Sequence, residues 1–183
     1  GKIINYNEEH FAALNTAFVD DGAFIHVPMN VQVTDPIYIQ YFFTASDVNA
    51  FKQTRSLSIL EQVSSINLAE DFRNASNISV QYNHVSEVYL DSNAIMDMVK
   101  LQLEVSNAIG VHTLEAQVGS NARFSAATVT FSSPNTGTGN ALIRNNAPAR
   151  LVGDGAHADL NGLYFGKENA LIDNHILVEH VSP

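Results

Sequence analysis

Short runs in which apolar and polar residues alternate with period two fill most of this chain, which is the signature of strands with two unlike faces. The clearest run is Ile95 to Val105. There Ile95, Val99, Leu101, Leu103 and Val105 make an apolar face interrupted by Asp97, while Met96, Met98, Lys100, Gln102 and Glu104 make the opposite one. A second clear run, Ala170 to His180, sets Ala170, Ile172, Asn174, Ile176 and Val178 inward and Asp173, His175, Leu177 and Glu179 outward. Ala23 to Val33 alternates more loosely, with Pro28 and Pro36 confined to strand ends, and Leu57, Ile59 and Val63 mark another strand region. Ser46 to Arg55 reads as a polar connection and Pro134 to Asn140 as a loop. One helix is predicted, from Asn7 to Phe18: Asn7 is its cap, Glu8 and Glu9 suit its first turn, and Phe11, Leu14 and Phe18 share one face.

The runs are separated by a recurring turn unit in which Asn or Gly precedes Ala. It occurs at Asp21-Gly22-Ala23, Ser92-Asn93-Ala94, Ser120-Asn121-Ala122, Gly139-Asn140-Ala141, Asp154-Gly155-Ala156 and Glu168-Asn169-Ala170. Asn and Gly tolerate positive φ, so each unit hands the chain to a new strand. The last three recur at about 14-residue steps, and Asn93 and Asn121 stand about two such steps apart, which points to a solenoid with strands stacked coil upon coil. The expected fold is mainly β, a parallel β-helix over residues 19–183 behind a short helical lead-in over residues 1–18.

Composition narrows the function. Of 183 residues, 45% are apolar, enough for one domain with a real core. Nineteen acids against nine bases give a formal charge of −10, which disfavours nucleic acid as a partner. No cysteine is present, so this chain offers neither disulfides nor thiolate ligands to zinc or iron–sulfur clusters. That composition is compatible with a cytoplasmic home, the expected location. No run of 18 apolar residues exists to enter a membrane as a helix. The sequons Asn74-Ala75-Ser76 and Asn77-Ile78-Ser79 are read as chance matches. Gly1 and the strand-like residues before Pro183 suggest a segment of a longer protein, whose open coil would invite homodimers through strand edges.

Candidate chemistry is sparse. Asp173, His175 and Glu179 share a strand face, but Asp173 and Glu179 stand ~20 Å apart along it, too far for one ion. His175 and His180 are therefore weak metal candidates, on opposite faces of the strand. Asn174 is expected to join an inward amide ladder. Arg144 and Arg150 are expected to pair with nearby surface acids, and His26 and His112 to be structural. Gly137-Thr138-Gly139 lacks the Lys-Ser/Thr of a phosphate loop and is read as a turn. No catalytic set can be argued from spacing.

Several of these motifs carry a family resemblance. Leu14-Asn15-Thr16-Ala17-Phe18 leading into Asp21-Gly22-Ala23-Phe24-Ile25-His26-Val27-Pro28, then Ala141-Leu142-Ile143-Arg144-Asn145-Asn146 and Leu160-Asn161-Gly162-Leu163-Tyr164, resemble the core of the SufB/SufD family of iron–sulfur cluster assembly proteins. Asp173-Asn174-His175 and Val178-Glu179-His180 complete the pattern, and the final blocks favour the SufD branch over SufB. The resemblance implies a right-handed parallel β-helix and a scaffold subunit of the SUF complex, without a catalytic reaction of its own. It implies pairing with SufB and the SufC ATPase, with an Fe–S cluster and FAD belonging to the full complex. The family's histidine ligand candidate lies in a Ser-His-Gly-type segment that does not occur here, so no site residue is carried over. The alternative reading is a β-helix that binds or cleaves carbohydrate.

Overall fold

The computed structural model describes residues 3–7, 9–44, 50–75, 78–103, 108–132, 141–167 and 169–182. After one helix, α1 (His10–Phe18), the chain forms β1 (Asp21–Val27), β2 (Ile37–Phe43), β3 (Phe51–Leu60), β4 (Ser65–Asn74), β5 (Val80–Leu90) and β6 (Ile95–Gln102). It continues through β7 (Ala108–Val118), β8 (Arg123–Ser132), β9 (Leu142–Leu151), β10 (His157–Gly166) and β11 (Leu171–His180). Odd-numbered strands make one sheet in the order β1-β3-β5-β7-β9-β11, and even-numbered strands make the other, β10-β8-β6-β4-β2. Neighbours within each sheet are parallel. The chain thus crosses from one sheet to the other at every corner, giving the parallel β-solenoid that the turn pattern implied.

One corner explains the turn units. Residues 28–31, 61–64, 91–94, 119–122 and 153–156 each close a β-turn between the first and fourth residue. The third residue has positive φ in every case: Asn30 (63°), Val63 (61°), Asn93 (60°), Asn121 (54°) and Gly155 (68°). Each turn also bonds to the next, as Asn30 N–H donates to Gln62 O (3.0 Å), Val63 to Ser92 (3.1 Å), Asn93 to Ser120 (2.9 Å) and Asn121 to Asp154 (2.9 Å). The true repeat is therefore one coil of about 30 residues with two strands, and the 14-residue step is half a coil linking opposite corners. Asn169-Ala170 belongs to the opposite corner, Gly22 sits inside β1 rather than in a turn, and Gly139-Asn140 lies outside the described residues.

Three other expectations are corrected. On β6 the interior face is Met96, Met98, Lys100 and Gln102, all buried, while Ile95 and Val99 are 45% and 40% exposed. The two methionines fill the core, and the polar pair is accepted inside because facing strands supply partners. The helix starts at His10, with Glu9 rather than Asn7 at its N-cap, and no side chain caps it. It docks through Ala12 and Asn15, leaving Phe18 66% exposed, because polar contacts decide its orientation. Asn15 Nδ2 donates to the carbonyls of Thr54 (2.8 Å) and Asn83 (3.1 Å), and Asn83 Nδ2 donates to Phe11 O (2.7 Å). Phe51 to Arg55, read as a connection, begin β3, whereas Pro134 to Asn140, Glu104 and Val105 lie outside the described residues. Asn74 of the first sequon is buried at the end of β4.

The left-handed turn position gives a direct test. Val63, half exposed and β-branched, holds a conformation that costs a non-glycine residue about 1–2 kcal/mol, less for Asn. Val63→Asn is expected to raise the urea-unfolding stability by about 1 kcal/mol. Gly155→Ala is expected to lower it, since the new Cβ would meet Asn121 Oδ1 at 2.4 Å. An unchanged or lowered midpoint for Val63→Asn would contradict the stacked-turn geometry.

Candidate functional site: the polar layer inside the solenoid

Along each interior strand the core changes character. One end is aromatic, with Tyr41, Phe43, Phe72 and Tyr82, and the other is aliphatic, with Leu60, Leu68, Val88, Leu90, Met96 and Val118. Between them lies a polar layer, because in-register pairing stacks polar residues coil above coil. In the first sheet the register runs Thr54, His84, His112, Asn145, Asn174. In the second it places Glu70 beside Lys100 and Phe72 beside Gln102, which in turn adjoins Thr130.

Glu70 is the hub and is fully buried. Ser56 Oγ donates to its Oε1 (2.7 Å) and Ser86 Oγ to its Oε2 (3.0 Å). Lys100 Nζ lies 3.4 Å and His84 Nε2 3.5 Å from that second oxygen. Lys100 also donates to Ser86 Oγ (2.9 Å) and sits 5.7 Å from the Phe72 ring centre. His84 bridges Thr54 Oγ1 (2.8 Å) and Ser86 Oγ (2.9 Å). Burial opposes ionisation of Glu70, yet the Lys100 charge, then His84 and the hydrogen bonds, outweigh it and hold the carboxyl below its ordinary range. Burial lowers Lys100, with Glu70 pulling the other way, and lowers His84 and, more strongly, His112. The geometry fits a Glu70–Lys100 ion pair beside a neutral His84 that accepts from Thr54 and donates toward Ser86 and Glu70.

Two further networks continue the layer. Tyr82 Oη and His112 Nε2 share a 2.6 Å hydrogen bond. Gln102 Nε2 donates to Asn145 Oδ1 (2.6 Å), Thr130 donates to Gln102 Oε1, and Asn145 Nδ2 donates to Asn174 Oδ1 (2.8 Å). The expected inward ladder at Asn174 is thus present, with Asn145 as its partner.

The residues singled out from the sequence are otherwise dispersed. Arg144 faces Asp173 (3.6 Å) and Arg150 pairs with Glu179 (2.9 Å), the surface ion pairs anticipated for both arginines. His26 is exposed and pairs with Glu61 (2.9 Å). His175 lies on the outer face of β11, and His180 lies on the opposite face of that strand. Among the described residues no three His, Cys, Asp or Glu side chains converge as a metal site. The buried Glu70, His84 and Lys100 were missed. Their legible signal was the polar residue recurring at about one-coil steps from Thr54 to Asn174, which a half-coil period obscures.

A parallel solenoid with this register defines the class of protein, and comparison with known sequences gives the family. Residues 42–183 match the model of the SUF system FeS cluster assembly SufBD core domain, and residues 1–39 match that of the SufBD protein N-terminal region. The chain belongs to the SufB/SufD family. It is 33% identical over 92 residues to the iron–sulfur cluster assembly protein SufD of Bacillus subtilis, covering 50% of this chain and 21% of that protein. It is 28% identical over 178 residues to an iron–sulfur cluster assembly SufBD family protein of Pyrococcus horikoshii, covering 94% of this chain and 37% of that one. A Synechocystis family member is 26% identical over 124 residues, covering 63% of this chain and 27% of its own length. The chain thus spans well under half the length of these relatives.

Removing one member of the buried pair isolates the other's charge. Lys100→Met is expected to cost about 3–5 kcal/mol, and adding Glu70→Gln to recover most of it, read as a coupling in a double-mutant cycle. Additive losses would show that the two groups do not interact. A second expectation concerns pH. A histidine whose folded pKa lies below its unfolded value near 6.5 binds fewer protons folded than unfolded, so its stability contribution is present above 6.5 and is lost as pH falls. The stability advantage of the parent protein over His112→Gln should therefore shrink below about pH 6.5, measured by urea unfolding across pH. A pH-independent difference would count against a neutral buried His112.

Proposed function

We propose that this chain is a scaffold module of the SUF iron–sulfur cluster assembly machinery, of the SufD branch. In this reading it pairs with a SufB homologue and, within the same complex, with the SufC ATPase. The observation that carries the proposal is the match of both SufBD family models, over residues 1–39 and 42–183, to one parallel solenoid. The chemistry of the interior supports a structural role. Its ionisable groups are bonded to one another, and Glu70, His84 and Lys100 are all at most 3% exposed, so none is presented to a substrate at the surface. The iron–sulfur cluster is cargo in this reading. With no cysteine among these 183 residues, any thiolates for the cluster come from outside this segment, and any flavin belongs to the assembled complex.

The outer face of the second sheet favours protein contacts. Val99, Phe131, Leu163 and Phe165 are 40–61% exposed there, with Val129 paired to Leu163 and Phe131 to Phe165 in one contiguous strip. No helix of the described residues is long and apolar enough to cross a membrane, and the proposed location is the cytoplasm. The full-length protein is expected to co-purify with the SufB and SufC homologues of its own organism when the three are co-expressed. Association with neither would overturn the proposal.

A further inference from the structure

Two adjoining cavities open on the outer face of the first sheet, where the N-terminal segment stops covering it. One, of about 330 Å³, is lined by Glu9, Glu115, Pro148, Arg150, Leu177 and Glu179 among others. The second, of about 240 Å³, shares Glu9, Pro148 and Leu177 and adds Thr113. Thr113 and Glu115 stand two apart on β7, so both side chains point out of the solenoid into this groove.

Both are deeply buried polar groups left without a mate. Thr113 is 1% exposed, and its hydroxyl oxygen has no hydrogen-bond partner among the described residues. Glu115 is 7% exposed and takes part in no hydrogen bond or ion pair among them. The nearby cation, Arg150, is engaged by Glu179 at 2.9 Å. The charged groups around Glu115 are Glu9 on the N-terminal segment, Glu87 on β5, Arg150 on β9 and Glu179 on β11. Burial chiefly, and the three acids with it, push the Glu115 carboxyl up to about 7 against the opposing charge of Arg150. Unmated buried acceptors are costly, and with Glu87 held by Arg55 and Glu179 by Arg150, Glu115 beside Glu9 is the acid of the groove that calls for a positive charge.

An ammonium on an aliphatic stem answers each feature. Its donors suit the Glu115 carboxylate, with Thr113 lining the adjoining cavity, while its methylenes lie along Pro148 and Leu177. The groove runs on from one cavity into the next instead of closing, which leaves room for a backbone beyond the side chain. We propose that this groove binds a lysine side chain presented by a partner protein. The inference is independent of which assembly the chain serves.

The test uses the full-length protein and three probes: an alanine-rich peptide with one central lysine, its norleucine counterpart, and spermidine. Binding is followed by titration calorimetry, and the Glu115 carboxyl carbon by NMR. The lysine peptide is expected to bind at least about 10-fold more tightly than the norleucine peptide and than spermidine, and more tightly at about pH 8 than at about pH 6. Saturation with it should lower the titration midpoint of Glu115 in the unmodified protein, a readout that needs no variant. Glu115→Gln should weaken binding and remove its pH dependence, whereas Glu61→Gln, at a remote corner, should leave both unchanged. Equal binding of the norleucine peptide, an unmoved Glu115 titration, or no binding of the lysine peptide overturns the proposal. Spermidine binding as tightly as the peptide overturns the assignment to a protein partner.

Discussion

In-register parallel pairing of successive coils is the constraint from which the rest of this structure follows. Once β3, β5, β7, β9 and β11 lie directly upon one another, every side chain inherits the neighbours its register dictates. A left-handed residue at one corner then demands another beneath it, which is why Asn30, Val63, Asn93, Asn121 and Gly155 form a bonded ladder. A polar residue inside one strand likewise requires polar company in the next coil, or its hydrogen bonds go unmade.

The interior shows how that requirement is met at a charged site. Glu70 and Lys100 would each be costly alone in a core, and their attraction only offsets the loss of hydration when the remaining donors and acceptors are also matched. Ser56, Ser86 and His84 supply those matches, and the rings of Phe72 and Tyr41 close the layer beside them. A network that is satisfied only in one register discriminates against slipped coils, a hazard for stacked strands whose aliphatic contacts alone would tolerate a shift.

The two outer faces are treated differently. The N-terminal segment clamps the first sheet through Glu87, whose Oε2 accepts from the Ile3 (3.1 Å) and Ile4 (3.3 Å) amides while its Oε1 holds Arg55 at 2.5 Å. Its cover ends near β7, leaving the acidic groove, and the second sheet keeps an apolar strip. The solenoid of this SufB/SufD family member therefore carries two chemically distinct outer faces.

Much of the fold was legible in the residues themselves. Alternation gave most of the strands, the units at Asn93, Asn121 and Gly155 gave corners while Gly22 did not, and Asn174 announced an inward ladder, because period-two patterning and positive φ are local properties of the chain. The face of β6, the true coil length and the docking face of α1 were not legible, since each depends on what lies opposite. Lys100 is interior only because Glu70 stands beside it, and Asn15 outweighs Phe18 because the carbonyls of Thr54 and Asn83 accept from its amide. Local chemistry fixed which segments extend and where they bend; the pairing of distant coils decided which side of each strand is inside.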